Sequence, residues 1–148
     1  MVHRWAPPAL GLLASLLVAS TASSQGSNQR AEKNQRRGIL GQNDPNPFST
    51  ETTIPFSIGD TDCAAGTQHH VVTLRIYNIL SQTVAVAGIT DGESTRALLN
   101  LALPCGPYVA RWDGKHAPDG RDAAPGVYMY QLLIDGHPAG MKKMILKR

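Results

Sequence analysis

Five histidines, two cysteines and eleven carboxylates are the side chains here whose types could do chemistry, so their spacing is the first question. His69 and His70 are adjacent. On a strand they would face opposite ways and could not grip one ion from one face. No third ligand stands at a zinc-binding interval from them. Asp113, Asp119 and Asp122 share one Gly-rich loop whose oxygens could suit calcium. Their intervals do not make a twelve-residue calcium loop and no bidentate Glu closes it, so turn formation accounts for them better. No serine sits in a nucleophile elbow, no glycine loop is built to cradle phosphate, and no Cys–His dyad has local support. Glycoside hydrolysis would need two paired carboxylates, and nothing selects a pair. The expectation is a chain with no catalytic residue, no cofactor and no metal ligand, and so not an enzyme.

The elements that would position any site follow from composition. The 148 residues suffice for one ordinary domain, and 14 Gly and 10 Pro with 5% aromatics favour short elements and many turns. Charged residues make up only 17%, too few for a charge-dominated disordered chain. Arg4 precedes the eleven-residue apolar run ALGLLASLLVA at 9–19, and small residues follow at 20–24. Positive start, short apolar core and small-residue exit read as a signal peptide over 1–22, cleaved after Ala22 or after Ser24. The run falls short of the ~20 apolar residues a membrane span needs, so no span is expected in the mature chain. Residues 23–38 form a polar leader that cannot offset its ordering entropy. Arg30, Lys33, Arg36 and Arg37 in that leader, with Lys142, Lys143, Lys147 and Arg148 at the other end, make the pI of 9.1. The stretch 39–141 holds five positive and ten negative groups, which argues against a nucleic-acid partner.

The domain expected over 39–148 reads as strands. In TTIPFSI (52–58), Ile54, Phe56 and Ile58 share one parity, and Pro55 demands an edge position or an unpaired side. VVTLRIYN (71–78) and QTVAVA (82–87) are close enough to form an antiparallel hairpin. YVARW (108–112), GVYMYQLLI (126–134) and the alternating stretch 141–147 follow, while TRALLNLAL (95–103) is a strand or an irregular edge segment. About seven short strands without a convincing helical period predict an all-β antiparallel sandwich. If the 82–87 strand folds back on 71–78, the loops carrying Cys63 and Cys105 meet at one end of it. Export then favours a Cys63–Cys105 disulfide worth about 3–4 kcal/mol, with two buried thiols as the alternative.

Four blocks occur in an order and spacing that resemble the FlgD-type immunoglobulin-like domain, the C-terminal module of the flagellar hook-capping protein. They are NDPNPFSTETTIPFSI, LRIYNILSQTVAV, YVARWDGKHAPDGRDAAPGVYMYQLLIDG and KKMILKR, spanning 43–148. The chain is similar also to the C-terminal sorting domains of proteins exported by the type IX system. Asn46, Pro47, Phe48, Tyr77, Asn78, Trp112, Asp113, Gly114, Gly120, Gly126, Tyr128 and Tyr130 carry the motif. Two departures stand out: Ser81 where the family has Gly, and a long 89–103 segment. The resemblance implies an immunoglobulin- or fibronectin-III-like sandwich. It implies an exported module at the periplasm, surface or exterior, whose protein partner is a secretion or surface-assembly component. Sorting or surface attachment would run through Lys142, Lys143 and Lys147. A scaffold role in a flagellum-like assembly is the alternative, and ligand binding on an aromatic platform of Tyr77 and Tyr108 is a third.

Overall fold

The computed structural model describes residues 37–59, 63 and 68–148. The expected signal peptide lies outside them, as does the leader apart from its last two residues. Ten strands and no α-helix occur among the described residues. The strands are β1 (Gly38–Leu40), β2 (Thr52–Ile58), β3 (His69–Tyr77), β4 (Thr83–Val86) and β5 (Gly88–Asp91), then β6 (Ser94–Ala97), β7 (Leu101–Pro104), β8 (Gly106–Trp112), β9 (Gly126–Ile134) and β10 (His137–Leu146). β2 and β9 have the bounds expected from their alternation, the undecided 95–103 stretch becomes β6 and β7, and β1 and β5 are additional.

The strands form two antiparallel sheets packed as a sandwich, in the orders β1-β2-β8-β5-β6 and β10-β9-β3-β4, with β7 also paired to β3. Alternation decides the core, because side chains of one parity all point between the sheets. Ile54, Phe56 and Ile58 from β2 meet Val72, Leu74 and Ile76 from β3, and Tyr130, Leu132 and Ile134 from β9 complete the centre. The long 89–103 segment belongs to this core. After β4 the chain crosses to the first sheet as β5 and β6, then returns as β7. Ala87 and Leu98 bridge the gap beside Leu74, whose N–H donates to Leu98 O at 2.9 Å while Ala87 N–H donates to Leu74 O at 3.0 Å. Leu98 is fully buried, which is what this excursion contributes to packing.

β2 is second in its sheet, not at the edge, and Pro55 is tolerated by position. Its carbonyl accepts from Gly41 N–H at 2.8 Å, so its nitrogen faces the side where the three-residue β1 has ended. The β3–β4 hairpin forms as expected, with Ile76 opposite Ala85. Ser81 sits there at φ 60°, in the left-handed region that favours glycine. Asn78 holds the turn instead, its Oδ1 accepting from the N–H groups of Leu80 and Gln82 at 3.0 Å each. β9 turns into β10 through Asp135-Gly136, both at positive φ, the two-residue hairpin geometry such a pair favours.

Candidate functional site

β10 is an edge strand of the second sheet, and its side chains divide the expected basic cluster. Met144 and Leu146 point into the core, and Lys142 shares their parity, half-buried opposite Tyr130. Lys143 and Ile145 lie on the outer face, and Lys147 is exposed just past the strand's end. The three lysines are therefore not one patch. On the outer face Lys143 stands opposite Met129 and Ile145 opposite Val127. Val127, Met141 and Ile145 are 39%, 50% and 37% exposed, so this face is apolar with a basic margin.

The backbone edge of β10 is closed by residues 42–48. Gln42 Nε2 donates to Lys143 O at 3.0 Å, and Ile145 N–H donates to Asn46 Oδ1 at 3.0 Å. Phe48 N–H donates to Ile145 O at 3.0 Å, and Lys147 N–H donates to Phe48 O at 2.8 Å. This segment bends at 45–47, where Asn43 Nδ2 and the Thr52 hydroxyl both donate to Pro45 O. Phe48 then reaches Trp112 edge-on at 5.5 Å, and Trp112 meets Tyr128 at 5.2 Å.

The remaining motif residues act as turn and core supports. The Trp112 indole N–H donates to Lys115 O at 2.9 Å. Asp113 and Asp119 cap their own turns through Lys115 N–H and Arg121 N–H, with Gly114 and Gly120 at positive φ. Asp122 pairs with Arg148 at 3.0 Å, so the three loop carboxylates are spent on structure. Tyr77 and Tyr108 belong to different sheets: Tyr77 bonds Gln131, and Tyr108 stacks on Phe56 at 5.4 Å. They form no common platform.

At one pole, the ends of β2, β3, β7, β8, β9 and β10 bring together side chains that spacing could not relate. Cys63 and Cys105 are joined by a disulfide, 42 residues apart in sequence. Both loops lie at the same end of the sandwich, as expected, but it is β7, paired antiparallel with β3 so that Pro104 stands opposite His69, that brings Cys105 there. Gly59, at φ 142°, lines this pole; a Cβ there would come within 2.8 Å of Cys63 Sγ. A ring nitrogen of His70 and the two Sγ atoms lie within 4.8 Å of one another. His70 Nδ1 is 2.7 Å from Asp135 Oδ2, and Asp135 Oδ1 accepts from Val71 N–H at 2.9 Å. Burial pushes the Asp135 carboxyl up, but the His70 and Val71 hydrogen bonds and the charges of His70 and Arg37 outweigh it and hold it below its ordinary value. A carboxylate only accepts, so this network assigns the proton to Nδ1 and leaves Nε2 with the lone pair in neutral imidazole. Nε2 is buried and has no hydrogen-bond partner among the described residues. The sequence argument missed His70 because it sought a third ligand and a Cys–His dyad only at local spacing. The signal was the β3 start, which the two cysteine loops flank.

No protein-family model and no curated protein sequence matches the chain. Among solved structures it is similar to dimeric latent PorU from Porphyromonas gingivalis, at 17% identity and a TM-score of 0.52 over 74% of this chain. That match spans only 9% of PorU. The filamin domain of Lin-41 is similar over 77% of this chain and 95% of its own, at 13% identity and a TM-score of 0.47. The PorU likeness is of fold alone, and the chain is an all-β antiparallel sandwich.

Proposed function

We propose that the chain is an exported, non-catalytic immunoglobulin-like module that works by protein contact, in sorting or surface attachment through the outer face of its C-terminal strand. The observation that carries this reading is the state of β10. Its backbone edge is occupied by Asn46 and Phe48, so a partner adding a strand there would have to displace residues 42–48. Its outer face instead offers Lys143, Ile145 and Lys147 beside Val127 and Met141. An apolar centre with a basic margin suits a partner surface of the same shape with acidic groups around it. The disulfide and the N-terminal export signature support a location outside the cytoplasm. No helix among the described residues is long and apolar enough to cross a membrane.

Deleting the chain from Lys142 onward would not test this, because Met144 and Leu146 are 0% and 1% exposed and their loss would undo the core. Charge reversal at Lys143 and Lys147 leaves the inward parity untouched. In a secreting bacterium with a type IX system, the native chain is expected at the surface or in the medium. The K143E/K147E variant is expected to stay periplasmic with an unchanged melting temperature. Periplasmic retention of both would defeat the sorting reading and leave a periplasmic scaffold module, and export of both would defeat the role of the two lysines.

A further inference from the structure

We propose that Cys63, His70 and Cys105 form a redox-gated site for a thiophilic divalent cation of the Zn2+ class, closed as the disulfide and opened by its reduction. Three donor atoms of the right chemistry already converge within 4.8 Å. Tetrahedral zinc, with bonds of roughly 2.3 Å to sulfur and 2.0–2.1 Å to nitrogen, needs donor separations of about 3.3–3.8 Å, so this cluster requires only local adjustment. His70 Nε2 is the unexplained atom: buried and without a partner among the described residues. Its ring is aimed from behind by Asp135, the carboxylate–histidine arrangement that orients metal-bound imidazoles. Asp135 is itself fixed by Val71 N–H and by its place in the β9–β10 turn. Cys63 stands in the β2–β3 connection and Cys105 between β7 and β8, so neither cysteine lies within a strand.

In the oxidised chain the bonded sulfurs are poor ligands and the site is shut. A dithiol reductant transfers two electrons, breaking the S–S bond to give two thiols while it becomes a disulfide itself. Binding M2+ then releases the two thiol protons and places thiolate, thiolate and neutral imidazole around the ion, with a fourth position for water. Sequence distance hid the donor set: the two cysteines lie 42 positions apart, and the third ligand sought near His69 and His70 is supplied by them.

The test uses the whole mature chain, reduced anaerobically with a phosphine and titrated with Co2+, then with Zn2+. The expected result is one equivalent of Co2+ with a thiolate-to-cobalt charge-transfer band and tetrahedral visible bands, both erased by Zn2+. The unreduced chain should show neither. His70→Ala should lose the tetrahedral bands, and Asp135→Asn should weaken binding roughly 10–100-fold, as for an orienting partner. Absence of the charge-transfer band in the reduced native chain, or an unchanged spectrum and affinity in His70→Ala, would overturn the proposal. Should reduction unfold the chain, Zn2+ must restore its near-ultraviolet circular dichroism, and failure to do so counts against the site equally.

Discussion

Tyr130 ties the entrance of the domain to its centre through one hydroxyl. It is fully buried, donates to Gly41 O at 2.9 Å and accepts from Asn43 N–H at 2.9 Å. Tyr130→Phe would strand both backbone groups and should cost about 1–3 kcal/mol in urea unfolding. Burial raises the Tyr108, Tyr128 and Tyr130 hydroxyls above 10.0, opposed at Tyr130 by the Asn43 bond. A raised folded value means their contribution is complete below pH 10 and declines above it, as the unfolded tyrosines ionise first. Unfolding midpoints measured across that range should fall with pH, and less steeply in Tyr130→Phe. Ser81 runs the other way. Left-handed geometry costs a side chain ~1–2 kcal/mol, against the ~0.5–1 kcal/mol entropic cost of glycine, so Ser81→Gly should stabilise by about 0.5–1 kcal/mol.

At the scale of elements, β10 depends on residues 42–48 as much as they depend on it. Asn46 takes the Ile145 N–H, and Phe48 takes and gives the next two bonds. Asn46→Ala should free the Ile145 amide, seen as faster hydrogen exchange at Ile145 with little change at Leu132 in the central β9. Equal protection in the variant would mean that Phe48 by itself closes the edge. The β5–β6 excursion is the other dependent element, since its return through Leu98 and β7 is what delivers Cys105 to the pole.

For the whole molecule, the Cys63–Cys105 bond closes a loop holding all of β3 to β7. Replacing both cysteines by serine should lower stability by about 4 kcal/mol on the chain-entropy model, read as a lower denaturation midpoint. Alkylation of the folded native chain without reductant should add no mass, and labelling of two thiols would contradict the pairing.

Much of this fold was legible because alternation is local: Ile54, Phe56 and Ile58, or Tyr128 to Ile134, announce a buried face from their own parity. The turn roles of Asp113 and Asp119 were legible for the same reason. The Cys63–Cys105 pairing was legible too, though β7 and not the β3–β4 hairpin brings Cys105 to the pole. What the tertiary structure decided concerns partners remote in sequence. It split Lys142 from Lys143 and Lys147, since parity in β10 became meaningful only when a core lay on one side. It closed the β10 edge with residues that precede it by about a hundred positions. It also set His70 between two cysteines and Asp135, because donors that meet at the ends of different strands share no spacing a sequence could display.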